Sequence, residues 1–248
     1  LALAVAFGVI VSAFALFSCG GTPPASPSGA RRILFVGNSL TSANHMTEMV
    51  QALADAAKPG SLEIHEITQG GASLEDQWES GAVRAIRGAH WDVVVLQQGP
   101  TALPASRAEL IQSARKFAPI IRKAGARPAL YMVWPLAAAT GDIDASRESY
   151  AAAAHEVNGI FFPAGAALRV ALRDHPSLEL WGSDGFHPTL AGSYGVALVI
   201  ASMLCDVSPR DLKKSLVLKS SELIALPEST VTALQDAAAE AIRLYGIN

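Results

Sequence analysis

The sequence predicts an α/β protein, a three-layer α/β/α sandwich built around a mainly parallel five-stranded sheet. Short apolar runs alternate with longer amphipathic segments from Arg31 onward, which is typical of strands connected by helices. Ile33–Val36 is apolar throughout, as expected of a strand that helices cover on both faces. The chain has 248 residues and is 50% hydrophobic, which suits one domain with a sizeable core.

The predicted strands are short apolar runs bounded by polar, glycine or proline residues. Asp92–Leu96 has the clearest pattern of a buried strand, whereas Leu62–Ile67 alternates and is predicted nearer the edge of the sheet. In chain order, the five strands are predicted at Ile33–Val36, Leu62–Ile67, Asp92–Leu96, Ala129–Val133 and Gly159–Phe162.

Helices are predicted where apolar residues recur at helical spacing. Ser73 suits the N-cap of one of them, with Asp76 three residues later. Pro119 lies inside another, where we expect it to kink or break the helix. The predicted helices are Met46–Ala57, Leu74–Arg87, Pro104–Lys123, Ala145–Glu156, Gly165–Arg173, Leu190–Leu204 and Glu228–Leu244.

The N-terminal segment predicts export. Residues 1–17 carry no charge and read as the apolar part of a secretory signal, because a membrane span needs roughly 20 apolar residues. Leu16-Phe17-Ser18-Cys19 resembles the lipobox of bacterial lipoproteins, which implies a lipid on Cys19 and a place on a membrane face of the bacterial envelope. We therefore expect a signal peptide at 1–18, a flexible tether at 19–30 and one domain at 31–248. An uncleaved anchor and plain secretion stay open, and both also place the domain outside the cytoplasm.

Composition and motifs exclude several other functions. The net charge is −3 and the sequence contains no basic cluster, so a nucleic-acid partner is not expected. Gly37-Asn38-Ser39-Leu40 matches neither a dinucleotide-binding glycine pattern nor a P-loop, and no lysine follows. No two histidines have the short spacing of a metal site, so we expect no metal and no organic cofactor. Cys19 and Cys205 are too few for a disulfide framework.

Polar and glycine residues follow four of the predicted strands. They are Gly37-Asn38-Ser39, Gln69–Ser73, Gln97–Pro100 and Trp134-Pro135. In an open α/β sheet, ligands bind beyond the carboxyl ends of the strands, so chemistry is expected at this edge.

Ser39 is a candidate nucleophile, because a hydroxyl at the end of a buried strand is displayed at that edge. A serine needs a base to accept its proton and donors to hold the oxyanion. Asp184 and His187 lie three residues apart before a predicted helix, and the carboxylate can orient one imidazole nitrogen while the other accepts the proton. Pro188 suits the first position of that helix. Two alternatives stay open: Ser39 as a helix N-cap and His45 as the base.

Two short motifs resemble those of the SGNH (GDSL-type) hydrolases. Gly37-Asn38-Ser39-Leu40 is similar to the first block of that family, and Asp184-Gly-Phe-His187 is similar to its last block, Asp-x-x-His. The resemblance extends from about Arg31 to Cys205. It implies a flavodoxin-like SGNH hydrolase fold, with Ser39 as nucleophile, His187 as base and Asp184 as the residue that orients the base.

The inner blocks of the family match less closely. The resemblance implies an oxyanion hole made by the N–H groups of Ser39 and Gly71, with Gly70 as a substitute for Gly71. Where the family has an asparagine after the third strand, this sequence has Gln97 and Gln98, and a glutamine amide offers the same donor on a longer stem. The sequence leaves both open, with a slight preference for Gln97. Asn38 stands where the GDSL motif has aspartate, and we expect little effect from this difference.

These observations predict an exported serine esterase that hydrolyses ester bonds through a Ser-His-Asp triad and an acyl-enzyme. The expected substrates are O-acyl or O-acetyl groups of carbohydrates, on small molecules or glycans. This expectation follows from the predicted export and from the substrates that the family resemblance implies. Two alternatives stay open: O-acyl transfer to envelope glycans, and a non-catalytic glycan-binding module on the same fold. The sequence gives no indication of an oligomeric state.

Overall fold

The computed structural model describes residues 29–247, without the side chains of residues 140 and 141. The predicted signal peptide at 1–18, including the lipobox-like segment, lies outside the described residues, as does Cys19. Only the last two residues of the predicted tether, Gly29 and Ala30, are described, and Arg31 begins the first strand.

Five strands form one parallel sheet, as predicted from the apolar runs. The central strand β3 is buried at every residue, whereas β2 at the edge is buried only at Leu62. The order across the sheet is β2-β1-β3-β4-β5, and every neighbouring pair is parallel. The strands are β1 Arg31–Gly37, β2 Leu62–Thr68, β3 Val93–Leu96, β4 Arg127–Tyr131 and β5 Ile160–Phe162.

Helices cover both faces of this sheet. The second, seventh, eighth and ninth helices pack together on one face, and the third to sixth cover the other. The predicted three-layer fold is therefore confirmed. The helices are α1 Ser39–Ser42, α2 Met46–Ala57, α3 Leu74–Ser80, α4 Ala82–Gly88, α5 Pro104–Lys123, α6 Ile143–Glu156, α7 Ala164–Asp174, α8 Leu190–Cys205 and α9 Glu228–Tyr245.

The structure departs from the helix prediction inside two of the predicted segments. The segment Leu74–Arg87 is two helices, because Gly81 has φ 141, a conformation outside the helical region that glycine adopts without strain. Helix α5 continues through Pro119 to Lys123. The residues two before and two after this exposed proline, Phe117 and Ile121, are fully buried, so packing on both sides holds the helix together.

Other local predictions hold. Ser73 caps α3 and forms a reciprocal capping box with Asp76, so the predicted helix start is confirmed.

An antiparallel hairpin, β6 Ser215–Val217 and β7 Leu223–Ala225, was not predicted. Each of its strands buries one residue of three, which is too short a pattern to recognise from sequence.

The sheet edge at which the strands end is the part of the fold that matters for function. The loops after β1, β2, β3 and β4 all meet there because the strands are parallel. None of the helices between residues 29 and 247 has the length and apolar character needed to cross a bilayer.

Candidate active site

The turn that carries Ser39 is built around a glycine. A Cβ at Gly37 would lie 2.5 Å from Oε1 of Gln97 and 2.5 Å from Oγ1 of Thr41, so this position excludes a side chain. The next residue, Asn38, is the N-cap of α1, and its side-chain oxygen accepts a hydrogen bond from the N–H of Leu40. Ser39 is therefore the first residue of the helix and is not its N-cap.

The side-chain amide of Gln97 fixes this turn. Its Oε1 accepts hydrogen bonds from the backbone N–H of Asn38 at 2.9 Å and from the hydroxyl of Thr41 at 2.8 Å. Its Nε2 donates to the carbonyl oxygen of Gln98 at 2.7 Å, and the whole residue is only 1% exposed. The side-chain amide is thus engaged at both ends in holding the backbone, which argues against the slight preference for Gln97 as an oxyanion donor.

Gln98 is the glutamine whose amide nitrogen is available. Its Oε1 accepts from the N–H of Leu74 at 3.4 Å, and its Nε2 makes no hydrogen bond to any residue between 29 and 247. The hydroxyl of the fully buried Tyr150 accepts from the backbone N–H of Gln98 at 3.1 Å and donates to its carbonyl oxygen. Tyr150 thus fixes the backbone from which this amide projects.

The loop after β2 is tied to the same turn. Nδ2 of Asn38 donates to the carbonyl oxygen of Ala72 at 3.0 Å, directly after Gly71, whose φ of +72 is in the left-handed region. Gln77, from α3, donates to the carbonyl oxygen of Gly37 at 2.6 Å. Sequence reasoning missed the roles of Asn38 and Gln77. The capped helix α3 could have indicated that a side chain from it reaches the turn.

Ser39, His187 and Asp184 form one hydrogen-bonded chain. Nε2 of His187 lies 2.9 Å from Oγ of Ser39, although 148 residues separate the two. Nδ1 of His187 lies 2.6 Å from Oδ2 of Asp184. A carboxylate only accepts, so Nδ1 carries the proton and Nε2 is free to accept one from the serine. This is the arrangement that the sequence spacing led us to expect.

The carboxylate of Asp184 also organises its own loop. Its Oδ1 accepts from the backbone N–H groups of Phe186 at 2.9 Å and His187 at 3.0 Å. The pKa of Asp184 is lowered from 3.8 to about 2, first by the hydrogen bond from the His187 ring and then by these two backbone donors. Pro188 is not the first residue of the following helix, because Thr189 is the N-cap and α8 begins at Leu190.

The alternative base does not reach the nucleophile. His45 pairs with the carboxylates of Glu48 at 3.2 Å and Glu222 at 3.8 Å. Within the described part of the chain, no cluster of three or more histidine, cysteine, aspartate or glutamate side chains could hold a metal ion. Trp134, which follows β4, is fully buried and donates to the carbonyl oxygen of Phe186 at 2.9 Å, so it supports the histidine loop.

Comparison with known proteins places this fold and site in context. The chain is similar to a solved structure from Slackia heliotrinireducens assigned as an SGNH hydrolase, with 31% identity and a TM-score of 0.60, over 70% of this chain and 98% of that one. It is also similar in fold to a DUF4886 family protein from Bacteroides uniformis, with 17% identity and a TM-score of 0.66, over 86% and 95% of the two chains.

A third similar fold is the acetyl xylan esterase AlAXEase, with 18% identity and a TM-score of 0.52, over 69% of this chain and 98% of that one. No protein-family model matches the sequence, and no curated protein matches it either. The similarity to the Slackia structure, at 31% sequence identity, covers 98% of that protein. The chain therefore belongs to the SGNH (GDSL-type) hydrolase family.

Proposed function

We propose that this protein is an exported serine esterase that removes acyl groups from carbohydrates. One observation carries the enzymatic part of the proposal: the continuous hydrogen-bonded chain Ser39–His187–Asp184, with distances of 2.9 and 2.6 Å. A binding module on the same fold would not require this chain, so its presence favours catalysis over the glycan-binding alternative.

In the proposed reaction, Nε2 of His187 accepts the hydroxyl proton of Ser39 as Oγ attacks the ester carbonyl. The carbonyl oxygen becomes an oxyanion, and His187 then gives the proton to the departing alcohol. Water attacks the acyl-enzyme in the second step, again with His187 as base, and releases the acid and free Ser39. Asp184 stays ionised throughout, because its pKa is about 2.

Three donors are proposed for the oxyanion. The N–H of Ser39 is the first of helix α1, where no intrahelical acceptor exists. The N–H of Gly71 belongs to the loop that Asn38 holds through Ala72, and Gly70, the substitute that the sequence leaves open, precedes it. Nε2 of Gln98 completes the set. Donors fixed in this way need no reorganisation as charge develops, and each contributes about 2.7–4 kcal/mol to the lowering of the barrier.

The substrate part of the proposal rests on the similar folds, the predicted location and the exposure of the site. Acetyl groups on glycans are favoured because an acetyl xylan esterase is among the similar folds and because the sequence predicts export with a lipid on Cys19. The side chains of Asp184 and His187 are 51% and 44% exposed, so a bulky alcohol can approach the reacting atoms.

The test is turnover of p-nitrophenyl acetate and of acetylated glycans by the domain at 31–248, beside Ser39→Ala and His187→Ala. Hydrolysis by the wild type alone is the expected result. Equal turnover by wild type and Ser39→Ala would remove the esterase assignment. An added glycan acceptor distinguishes hydrolysis from acyl transfer, since transfer would yield an acylated acceptor in place of free acetate.

A further inference from the structure

A second set of hydrogen bonds joins the element that carries Ser39 to the loop that carries His187. Asn44 lies two residues after α1, and its Nδ2 donates to the carbonyl oxygen of Pro188 at 2.8 Å and to the hydroxyl of Ser193 at 2.9 Å. Pro188 follows His187 directly. One amide group therefore spans from the nucleophile side of the site to the base side.

The backbone at Asn44 is adapted to this contact. Its φ of 52 and ψ of 30 lie in the left-handed region, and the next residue, His45, has a φ of 55. Asparagine is among the non-glycine residues that tolerate this region best. Ser193, fully buried in α8, donates in turn to the carbonyl oxygen of Ala43 at 3.4 Å. Two successive strained residues persist only where the surrounding structure fixes them.

The other anchors of the histidine loop act from different directions. Within the loop, the N–H of Gly182 donates to the carbonyl oxygen of His187 at 2.8 Å, and two further bonds come from another segment. The indole of Trp134 holds the carbonyl oxygen of Phe186, and the N–H of Ala137 donates to the carbonyl oxygen of Gly185 at 2.8 Å. Both tie the loop to the segment after β4. Among hydrogen bonds between described residues, those of Asn44 and Ser193 are the ones that join 38–45 to 183–193, apart from the contact between serine and histidine itself.

We propose that Asn44 is a positioning residue that sets the distance between Ser39 and His187. This inference deepens the proposed function and rests on it. Asn44 does not touch the reacting atoms and acts through Pro188. The ring of His187 is held by Asp184 on its own loop, so a shift of Pro188 moves base and carboxylate together, away from the serine. A displacement of about 1 Å in such a pair can lower the rate by as much as about 100-fold.

The discriminating variant is Asn44→Gly, because glycine keeps the left-handed backbone and removes only the donor. We expect kcat to fall by roughly 10- to 100-fold with little change in KM, and labelling of Ser39 by a fluorophosphonate to slow in parallel. Ser193→Ala should have a smaller effect, since the bond to Pro188 remains. The matched control is Gln235→Leu, which removes a buried amide that donates to the carbonyl oxygen of Leu212 at 2.9 Å, outside the site. It should lower the melting temperature without lowering kcat.

The ¹⁵N resonance of Nε2 in His187 reports the same contact without a substrate. Ser39→Ala removes the hydrogen-bond donor and shifts this resonance, and Asn44→Gly should reproduce the shift. A wild-type protein that hydrolyses no ester would count against the proposed function, and the resonance would still decide the role of Asn44. A kcat for Asn44→Gly within about twofold of wild type, or a resonance at the wild-type position, would overturn the positioning role.

Discussion

The two halves of the candidate active site are held in place in opposite ways. The turn from Gly37 to Thr41 rests on Gln97 and Gln77, both only 1% exposed, which bond its backbone from the loop after β3 and from α3. The loop that carries Asp184 and His187 lies at the surface and is fixed by a few hydrogen bonds. Ser39, the proposed nucleophile, is thus positioned by the protein core, whereas His187, the proposed base, is positioned by surface contacts that can be changed one at a time.

This contrast predicts that substitutions in the exposed loop lower activity and leave stability unchanged. Asp184→Asn should lower kcat by up to about 10⁴-fold, because the amide no longer fixes the tautomer of His187. The midpoint of urea unfolding should change little, because the position is exposed and the asparagine oxygen can still accept the hydrogen bonds of the two backbone N–H groups. Ester turnover and urea unfolding measure the two quantities. A large loss of stability would mean that the loop is as firmly built as the turn.

The next largest effect separates the two glutamines. Gln98→Ala should lower kcat by about 10²- to 10³-fold, because one oxyanion donor is lost. Its effect on stability should be smaller than that of Gln97→Met, because its oxygen accepts only the long hydrogen bond from the N–H of Leu74 at 3.4 Å. Steady-state kinetics on p-nitrophenyl acetate gives the number. If Gln98→Ala keeps wild-type kcat, the amide of Gln98 is not an oxyanion donor, and the third donor must be sought elsewhere at the sheet edge.

Gln97→Met should act mainly on stability. It retains the shape of the side chain and leaves the N–H of Asn38 without its acceptor, and the hydroxyl of Thr41 keeps only the longer contact with Tyr131 at 3.4 Å. Each unsatisfied buried group costs about 1–3 kcal/mol, so urea unfolding should show a clear decrease. Unchanged stability would show that the turn from Gly37 to Thr41 is not held by the buried side chain of Gln97, contrary to the contrast drawn above.

The smallest expected effect concerns pH. The lowered pKa of Asp184 means that its ionised form stabilises the folded loop above pH 3.8 and that this contribution is lost as the pH falls through about 2. The amide resonances of Phe186 and His187 should therefore change near pH 2, while resonances of β3 report that the domain is still folded. Asp184→Asn should abolish the transition. A midpoint at or above 3.8 would contradict the hydrogen bonding described here.

The three candidate catalytic residues were easier to predict from sequence than the residues that hold them in place. Asp184 and His187 form a local motif, and Ser39 follows a strand that its apolar run identifies. The choice between Gln97 and Gln98 was not predictable, because it depends on contacts with Thr41, Leu74 and Tyr150, which lie far away in the sequence.

Contacts between residues far apart in the sequence also explain part of the errors in the predicted fold. The five strands and most helices follow from local periodicity, and their predicted bounds lie within a few residues of those observed. Pro119 was expected to kink or break α5, but the helix is not broken, because packing of its neighbours outweighs the local preference of proline. The break at Gly81 was missed because helical spacing of apolar residues continues across it.

The direction of the first strand determines at which edge of the domain the proposed lipid anchor would attach. The described chain enters β1 at Arg31, and the seven residues of this strand, at about 3.3 Å each, carry it to the opposite edge of the sheet before Ser39. A lipid attached ahead of Gly29 would therefore be connected to the domain at the edge of the sheet opposite Ser39. The hydroxyl of Ser39 would then lie on the side of the domain opposite the point of attachment.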